Sequence, residues 1–230
     1  MDELAPGVWH VRGHKPGFGT VAKYTINAYV IDDVLIDAST RHSGGRILRE
    51  LKGRDIRSHA LTHAHPDHQG ASAEVCEALG IPFLVPEQDV EPAENPDLIG
   101  ERQPSHPVAQ FYARVFTGPG RKVDQALTEG DEVGGFKVID VPGHSAGHVA
   151  YWRESDGVLI LGDVLNNMNI MTGITGLHEP KPYLTPDPAE NRRSAKKLGA
   201  LEPSLALFGH GPPLRDPRKF VEFVEALPAD

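Results

Sequence analysis

Thr62-His63-Ala64-His65-Pro66-Asp67-His68 places four potential metal ligands, His63, His65, Asp67 and His68, within six residues. Neutral imidazole and carboxylate are both good donors to Zn²⁺. Two histidines one residue apart can point to the same side of an extended segment. The heptapeptide follows an apolar run, Ile56 to Leu61, that reads as a strand. It leads into His68 to Leu79, which reads as a helix stopped by Gly80. Ligands of α/β sheets gather at the carboxyl ends of strands, so this segment stands where a site belongs.

Three residues further along share that local context. His144 follows the strand Phe136 to Val141 through Pro142-Gly143, Asp163 follows Val158 to Leu161 through Gly162, and His210 follows Leu205 to Phe208 through Gly209. Each has glycine directly before it, a residue that lets the backbone turn sharply and approach a site closely. The repetition at separate strand ends is more telling than any one member.

The rest of the chain fits a layered α/β domain. Val8 to Arg12 and Tyr24 to Ile31 read as strands, and Val34 to Ile36 returns from the latter through Asp32-Asp33 as a hairpin. Ser43 to Leu51 has apolar residues at helical spacing. Further strands are expected at Pro82 to Val85 and Val149 to Arg153. Helices are expected at Asp187 to Leu198, with Asp187 as N-cap and Pro188 in the first turn, and at Pro217 to Leu227. Two successive blocks of strands and helices suggest two halves of one domain. Residues 86–130 differ: proline recurs at 86, 92, 96, 104, 107 and 119, and only Val108 to Phe116 reads as helical. This stretch is expected to be an insertion that caps the main body. Residues 164–186 read as a long loop.

Composition narrows the function classes. The 230 residues are 39% hydrophobic and 24% charged, as in a soluble globular protein. A net charge of −9 speaks against nucleic acid or an anionic membrane as partner, since both reward clustered Lys and Arg. A small-molecule substrate is the expected partner. The acidic start Met1-Asp2-Glu3-Leu4 has no apolar core of a signal peptide, and no apolar run approaches membrane-helix length, so a cytoplasmic location is the default expectation. The single cysteine, Cys76, reads as a small buried apolar residue between two Glu.

His63-x-His65-x-Asp67-His68, followed by His144, Asp163 and His210, resembles the full ligand set of the metallo-β-lactamase fold superfamily. Leu35-Ile36-Asp37-Ala38 resembles its early strand-end Asp motif, and Gly143-His144-Ser145-Ala146-Gly147-His148 its Gly-His-x-x-Gly-His motif. Gly162-Asp163 and Gly209-His210-Gly211 match its later motifs. The resemblance spans residues 5–215. It implies a four-layer αββα sandwich with two divalent metal ions at one edge. Zn²⁺ is the expected metal, with iron or manganese as alternatives. His63, His65 and His144 would hold the first ion, and Asp67, His68 and His210 the second. Asp163 would bridge the two. Two ions about 3.5–4 Å apart then share a water or hydroxide that serves as nucleophile, and Asp67 and Asp163 are the catalytic carboxylates. Asp37 and His148 are expected to orient the ligands from behind.

The remaining histidines, His10, His14, His42, His59 and His106, lack ligand-type context and read as solvated or locally bonded. His178 and Tyr183, in the loop after Asp163, and Phe18, in Pro16-Gly17-Phe18-Gly19, are candidate substrate contacts. The reaction expected is hydrolysis of a small ester, lactone or thioester. Glyoxalase II-type hydrolysis of hydroxyacylglutathione is one alternative, although Gly209-His210-Gly211-Pro212 departs from that family's ending. An iron-dependent oxidoreductase of the same fold, similar to persulfide dioxygenases, is the other.

Overall fold

Period-two alternation of apolar side chains builds two sheets, both covered on each face. The computed structural model describes residues 1–12 and 25–228. The first sheet runs in chain order through β1 (Asp2–Ala5), β2 (Val8–Arg12), β3 (Asn27–Ile31), β4 (Val34–Ile36), β5 (Ser58–Ala60), β6 (Phe83–Pro86) and β7 (Gln125–Leu127). Its pairing is antiparallel up to β4 and parallel beyond. Next come β8 (Glu132–Val133), β9 (Phe136–Asp140), β10 (Val149–Arg153) and β11 (Val158–Gly162), joined antiparallel in a second sheet. The strands β12 (Asn166–Met168) and β13 (Thr175–His178) form a separate ribbon, and β14 (Leu205–Phe208) closes the second sheet parallel to β11. The helices are α1 (Gly44–Glu50), α2 (Pro66–Gln69), α3 (Ser72–Leu79), α4 (Val90–Glu94), α5 (Asp97–Arg102), α6 (Pro107–Phe116), α7 (Pro188–Gly199) and α8 (Pro217–Glu225).

Alternate residues of each strand serve alternate cores. Tyr29 and Ile31 of β3 meet Phe136, Val138 and Tyr151 between the sheets, whereas Ala28 and Val30 face outward into a core with Ile47 of α1 and Val75 of α3. On the other side, Ala150, Leu159 and Ala206 face Ala195 and Leu198 of α7 and Phe220 and Val224 of α8. The result is helix, sheet, sheet, helix: the αββα sandwich expected from the sequence. Each fully buried Leu, Ile or Phe contributes about 1.5–3 kcal/mol of burial free energy, which makes these three clusters the main support of the fold. Among the described residues no helix is long and apolar enough to cross a membrane. Cys76 is buried in the outer core with α1, and burial pushes its thiol pKa up to about 12, which leaves it unreactive.

Three local expectations need correction. The helix expected from His68 to Leu79 is two helices, α2 and α3. The break falls at Gly70, where a Cβ would lie 2.3 Å from the backbone nitrogen of Arg41 and 2.6 Å from the carbonyl oxygen of Pro66. Chain from another segment occupies the place of a side chain. Residues 86–130 hold α4 and α5 as well as α6, and they end in β7, an edge strand of the first sheet. At 5 and 6 residues, α4 and α5 are too short to show a period, and Pro92 sits in a first turn where proline is tolerated. The loop expected at 164–186 contains the β12–β13 ribbon and a 3-10 turn at Pro182–Leu184. Its Asn-rich first strand has little β propensity and is held by tertiary contacts: the Asn167 backbone N–H donates to the His210 carbonyl at 2.9 Å, and its side-chain amide donates to the Pro212 carbonyl at 2.9 Å.

Candidate metal centre

Four strand ends converge at one edge of the sandwich. The segment after β5 brings His63, His65, Asp67 and His68; the turns after β9, β11 and β14 bring His144, Asp163 and His210. All seven side chains are at least nine-tenths buried. Their donor atoms fall into overlapping groups whose members lie within 4.8 Å of one another: His63, His65 and His144; His63, His68 and Asp163; and Asp67, His68 and His210. Asp163 lies between, with Oδ1 3.6 Å from Nε2 of His68, and Oδ2 3.5 Å from Nε2 of His144 and 3.1 Å from Nε2 of His210. Gly209 permits this approach, because a Cβ there would lie 2.0 Å from Oδ1 of Asp163.

Four of the five imidazoles are held from behind through Nδ1. Nδ1 of His68 donates to Oδ2 of Asp37 at 2.8 Å. The Thr62 backbone N–H and hydroxyl also donate to Asp37, each at 2.8 Å, and Nδ1 of His63 donates to the Thr62 hydroxyl at 2.9 Å. Nδ1 of His144 pairs with the Thr185 hydroxyl at 3.1 Å, and Nδ1 of His210 donates to the Thr25 carbonyl. In these four residues Nδ1 is engaged, so Nε2 is the nitrogen left to bind an ion. Among the described residues, Nε2 of His63, Nε2 of His68 and Oδ1 of Asp163 are buried without a hydrogen-bond partner. Buried polar atoms without partners are costly, and three of them converging is the pattern a cation relieves. The residues therefore fit divalent metal.

The electrostatics differ between the groups. Burial, reinforced by neighbouring imidazoles, holds His63 well below the ordinary histidine pKa; His144 is also held well below, by burial and His65 against the pull of Asp163. Burial likewise disfavours charge on His68, but Asp37, Asp67 and Asp163 outweigh it and raise the pKa well above the ordinary value. His210 rises to about 10 because Asp163 and Asp67 overcome the same burial. Asp67 and Asp163 stay ionised despite burial, because His68 and His210 face them.

The supporting residues expected from sequence occupy this surround. Asp37 receives His68 and Thr62 and adopts a left-handed backbone, φ 58°. His148 packs its ring 4.4 Å from that of His63, and its Nε2 accepts from the Asp163 backbone N–H at 3.3 Å. Of the substrate candidates, Tyr183 lines a cavity of about 230 Å³ above the centre, and its ring stacks on His106, centroids 4.7 Å apart. His178 lies on β13 opposite Asn166 and is not among the cavity-lining residues. Phe18 and His14 lie outside the described residues. His10 pairs with Asn27, and His59 bonds the Leu35 carbonyl and Ser72, both in buried positions; His42 is exposed.

Sequence reasoning missed three residues of the site. Asp89, in the 3-10 turn after β6, is buried and accepts from the Ala64 backbone N–H at 2.8 Å, the Ser145 hydroxyl at 2.9 Å and the Gly147 backbone N–H at 3.1 Å. One carboxylate thus ties the loop of His63 and His65 to that of His144 and His148. Its position after a strand end was a usable signal. Gln103 donates its side-chain amide to Nε2 of His65, and the Tyr112 hydroxyl of α6 donates to Oδ2 of Asp67 at 3.4 Å. Burial and the charges of Asp67 and Asp163 push the Tyr112 pKa well above that of free phenol, so it remains a donor. Nothing in the sequence distinguished Gln103, and Tyr112 was covered only by the helix expected from Val108 to Phe116.

The sequence profile of the metallo-beta-lactamase superfamily matches residues 22–210, from the segment before β3 to the last of the seven side chains. The chain belongs to the metallo-beta-lactamase superfamily. Within it, a probable metallo-hydrolase of Bacillus subtilis, YflN, is 31% identical over 79% of this chain and 76% of its own length. The hydroxyacylglutathione hydrolase of Methylococcus capsulatus is 30% identical, over 66% of this chain but only 45% of its own length. Among solved structures, TTHA1623 in a di-iron-bound form is 28% identical, covers 91% of this chain and 96% of its own, and superposes with a TM-score of 0.64. Superfamily membership and the relatives' names indicate a metallo-hydrolase, and the buried His and Asp clusters could hold divalent metal.

Proposed function

We propose that the chain is a dinuclear metal-dependent hydrolase of a small ester, lactone or thioester. His63, His65 and His144 hold one ion; Asp67, His68 and His210 hold the other; Asp163 is shared. The observation that carries this reading is the position of Asp163, whose carboxylate touches side chains of both groups. When bound, such ions lower the pKa of water and polarise a carbonyl oxygen. The chain's own residues do the rest. Asp67, kept ionised and steadied by Tyr112, accepts a proton from the attacking water and returns it toward the leaving group. Asp37, Thr62 and Thr185 fix the ring orientations of His68, His63 and His144 before substrate arrives. The buried floor excludes bulk water and strengthens each charge interaction.

Zn²⁺ is the proposed metal. The di-iron form of a 28% identical neighbour favours iron as the second choice, and with it the oxidoreductase reading. Elemental analysis of purified protein, followed by ester, lactone and thioester hydrolysis and oxygen uptake, separates the two. Hydrolysis with about two Zn²⁺ per chain is expected. Oxygen consumption by an iron-loaded protein without hydrolysis overturns the proposal.

A further inference from the structure

We infer that the substrate is uncharged and bears an apolar chain next to the scissile bond. This rests on the hydrolase reading above and narrows its substrate. The cavity over the centre has a polar floor and apolar sides. The floor is formed by the metal-binding groups with Gln103 and Tyr112; the sides are Ile26, Phe116, Met168, Ile170 and Leu184, drawn from four separate segments. Ile26 and Met168 are themselves about 5% exposed, so this wall is part of the packed structure. Lys181 is the sole Lys or Arg among the described lining residues. A glutathione thioester carries two carboxylates and one ammonium, and the apolar wall of the described residues offers those charges fewer partners than it offers methylenes. Burying an unpaired charge against an apolar wall is unfavourable, whereas burying methylenes there is favourable.

The cavity mouth extends the same chemistry outward. The large apolar side chains exposed among the described residues are Leu79, Val108, Phe111, Met171 and Ile174. Four of these five stand on two segments that border the mouth: Val108 and Phe111 on α6, and Met171 and Ile174 in the turn between β12 and β13. Val108 and Met171 line the cavity directly. Exposed apolar side chains gathered at one opening mark a binding surface, and methionine adapts its shape to flexible chains. A chain that outgrows the cavity continues onto this rim.

The test measures kcat/KM for two homologous ester series with the metal-loaded protein: p-nitrophenyl esters from acetyl to decanoyl, and phenyl-free acetates of alcohols from ethyl to decyl. A third arm compares the N-acetylcysteamine and glutathione thioesters of one acyl group. Specificity is expected to rise roughly fourfold per methylene in at least one series until the chain clears the rim. Val108→Glu and Met171→Glu, both at exposed positions that leave the core intact, should reduce the ratio of octanoyl to acetyl specificity by about tenfold or more. The neutral thioester should be preferred over the glutathione thioester. A flat profile in both series, or preference for glutathione, overturns the inference while leaving the hydrolase reading standing. Absence of hydrolysis across all three arms overturns the hydrolase reading itself, and the inference with it.

Discussion

The two ligand groups of the candidate metal centre, here its two halves, use the same residue type under opposite fields. His63 and His144 sit among other imidazoles and are held neutral by burial. His68 and His210 sit among carboxylates and retain protons, His210 with a pKa of about 10. The fold supports them differently as well. Asp89, from the segment after β6, ties together the loops of the first half; Asp37, from the end of β4, holds His68 directly and reaches His63 only through Thr62, and the Thr25 carbonyl holds His210. The difference teaches that imidazole is a ready donor in one half and must first release a proton in the other.

Asp163 belongs to both halves, so its substitution should have the largest effect. Asp163→Asn is expected to reduce hydrolysis at least roughly 1,000-fold and to bring bound metal below two ions per chain. Elemental analysis and circular dichroism check this; full metal content with full activity would remove Asp163 from its shared role. Asp89→Ala should act on the first half alone. It leaves two backbone N–H groups and a hydroxyl buried without acceptors, a destabilisation of roughly 3 kcal/mol. Metal titration should show the weaker site losing occupancy while the carboxylate-rich site binds normally, and urea denaturation should report the stability loss.

Asp37→Asn sharpens the contrast from the other side. It weakens the hold on the His68 tautomer, and metal affinity of the second half should fall about 10–100-fold, measured by competition with a chelator. An unchanged affinity would mean that Asp37 serves packing only. The smallest expected effect is in pH dependence. His210 has a raised pKa in the metal-free fold, so its contribution to stability is complete below about pH 6.5 and is lost as pH rises through about 10. At pH 7 an ion entering the second half must displace protons, while one entering the first half displaces none. Calorimetry in buffers of different ionisation heat should detect proton release for one binding event, and that affinity should rise about tenfold per pH unit for each proton displaced.

Much of the fold could be read from the sequence, because strands such as Val149–Arg153 and Val158–Gly162 carry a strong apolar pattern and each ends in a turn before a ligand-type residue. The short helices α4 and α5 could not, since five or six residues do not complete a periodic pattern. The β12–β13 ribbon escaped for another reason: its Asn-rich strand is stabilised by the chain after His210, more than forty positions away. Asp89, Gln103 and Tyr112 reach the site from the segment between β6 and β7 through contacts whose partners lie 25 to 58 positions away in Asp89's case, 38 in Gln103's and 45 in Tyr112's.

What the sequence determined by itself was the inventory and its grouping: five imidazoles and two carboxylates, each after an apolar run, with glycine where the backbone must come close. Local spacing and side-chain chemistry are enough for that. Only the tertiary structure decided which nitrogen of four of the rings faces inward, which half keeps its protons, and how α6 and the β12–β13 turn wall the cavity. Those properties depend on burial and on distances between segments far apart in the chain, and no local pattern encodes a distance.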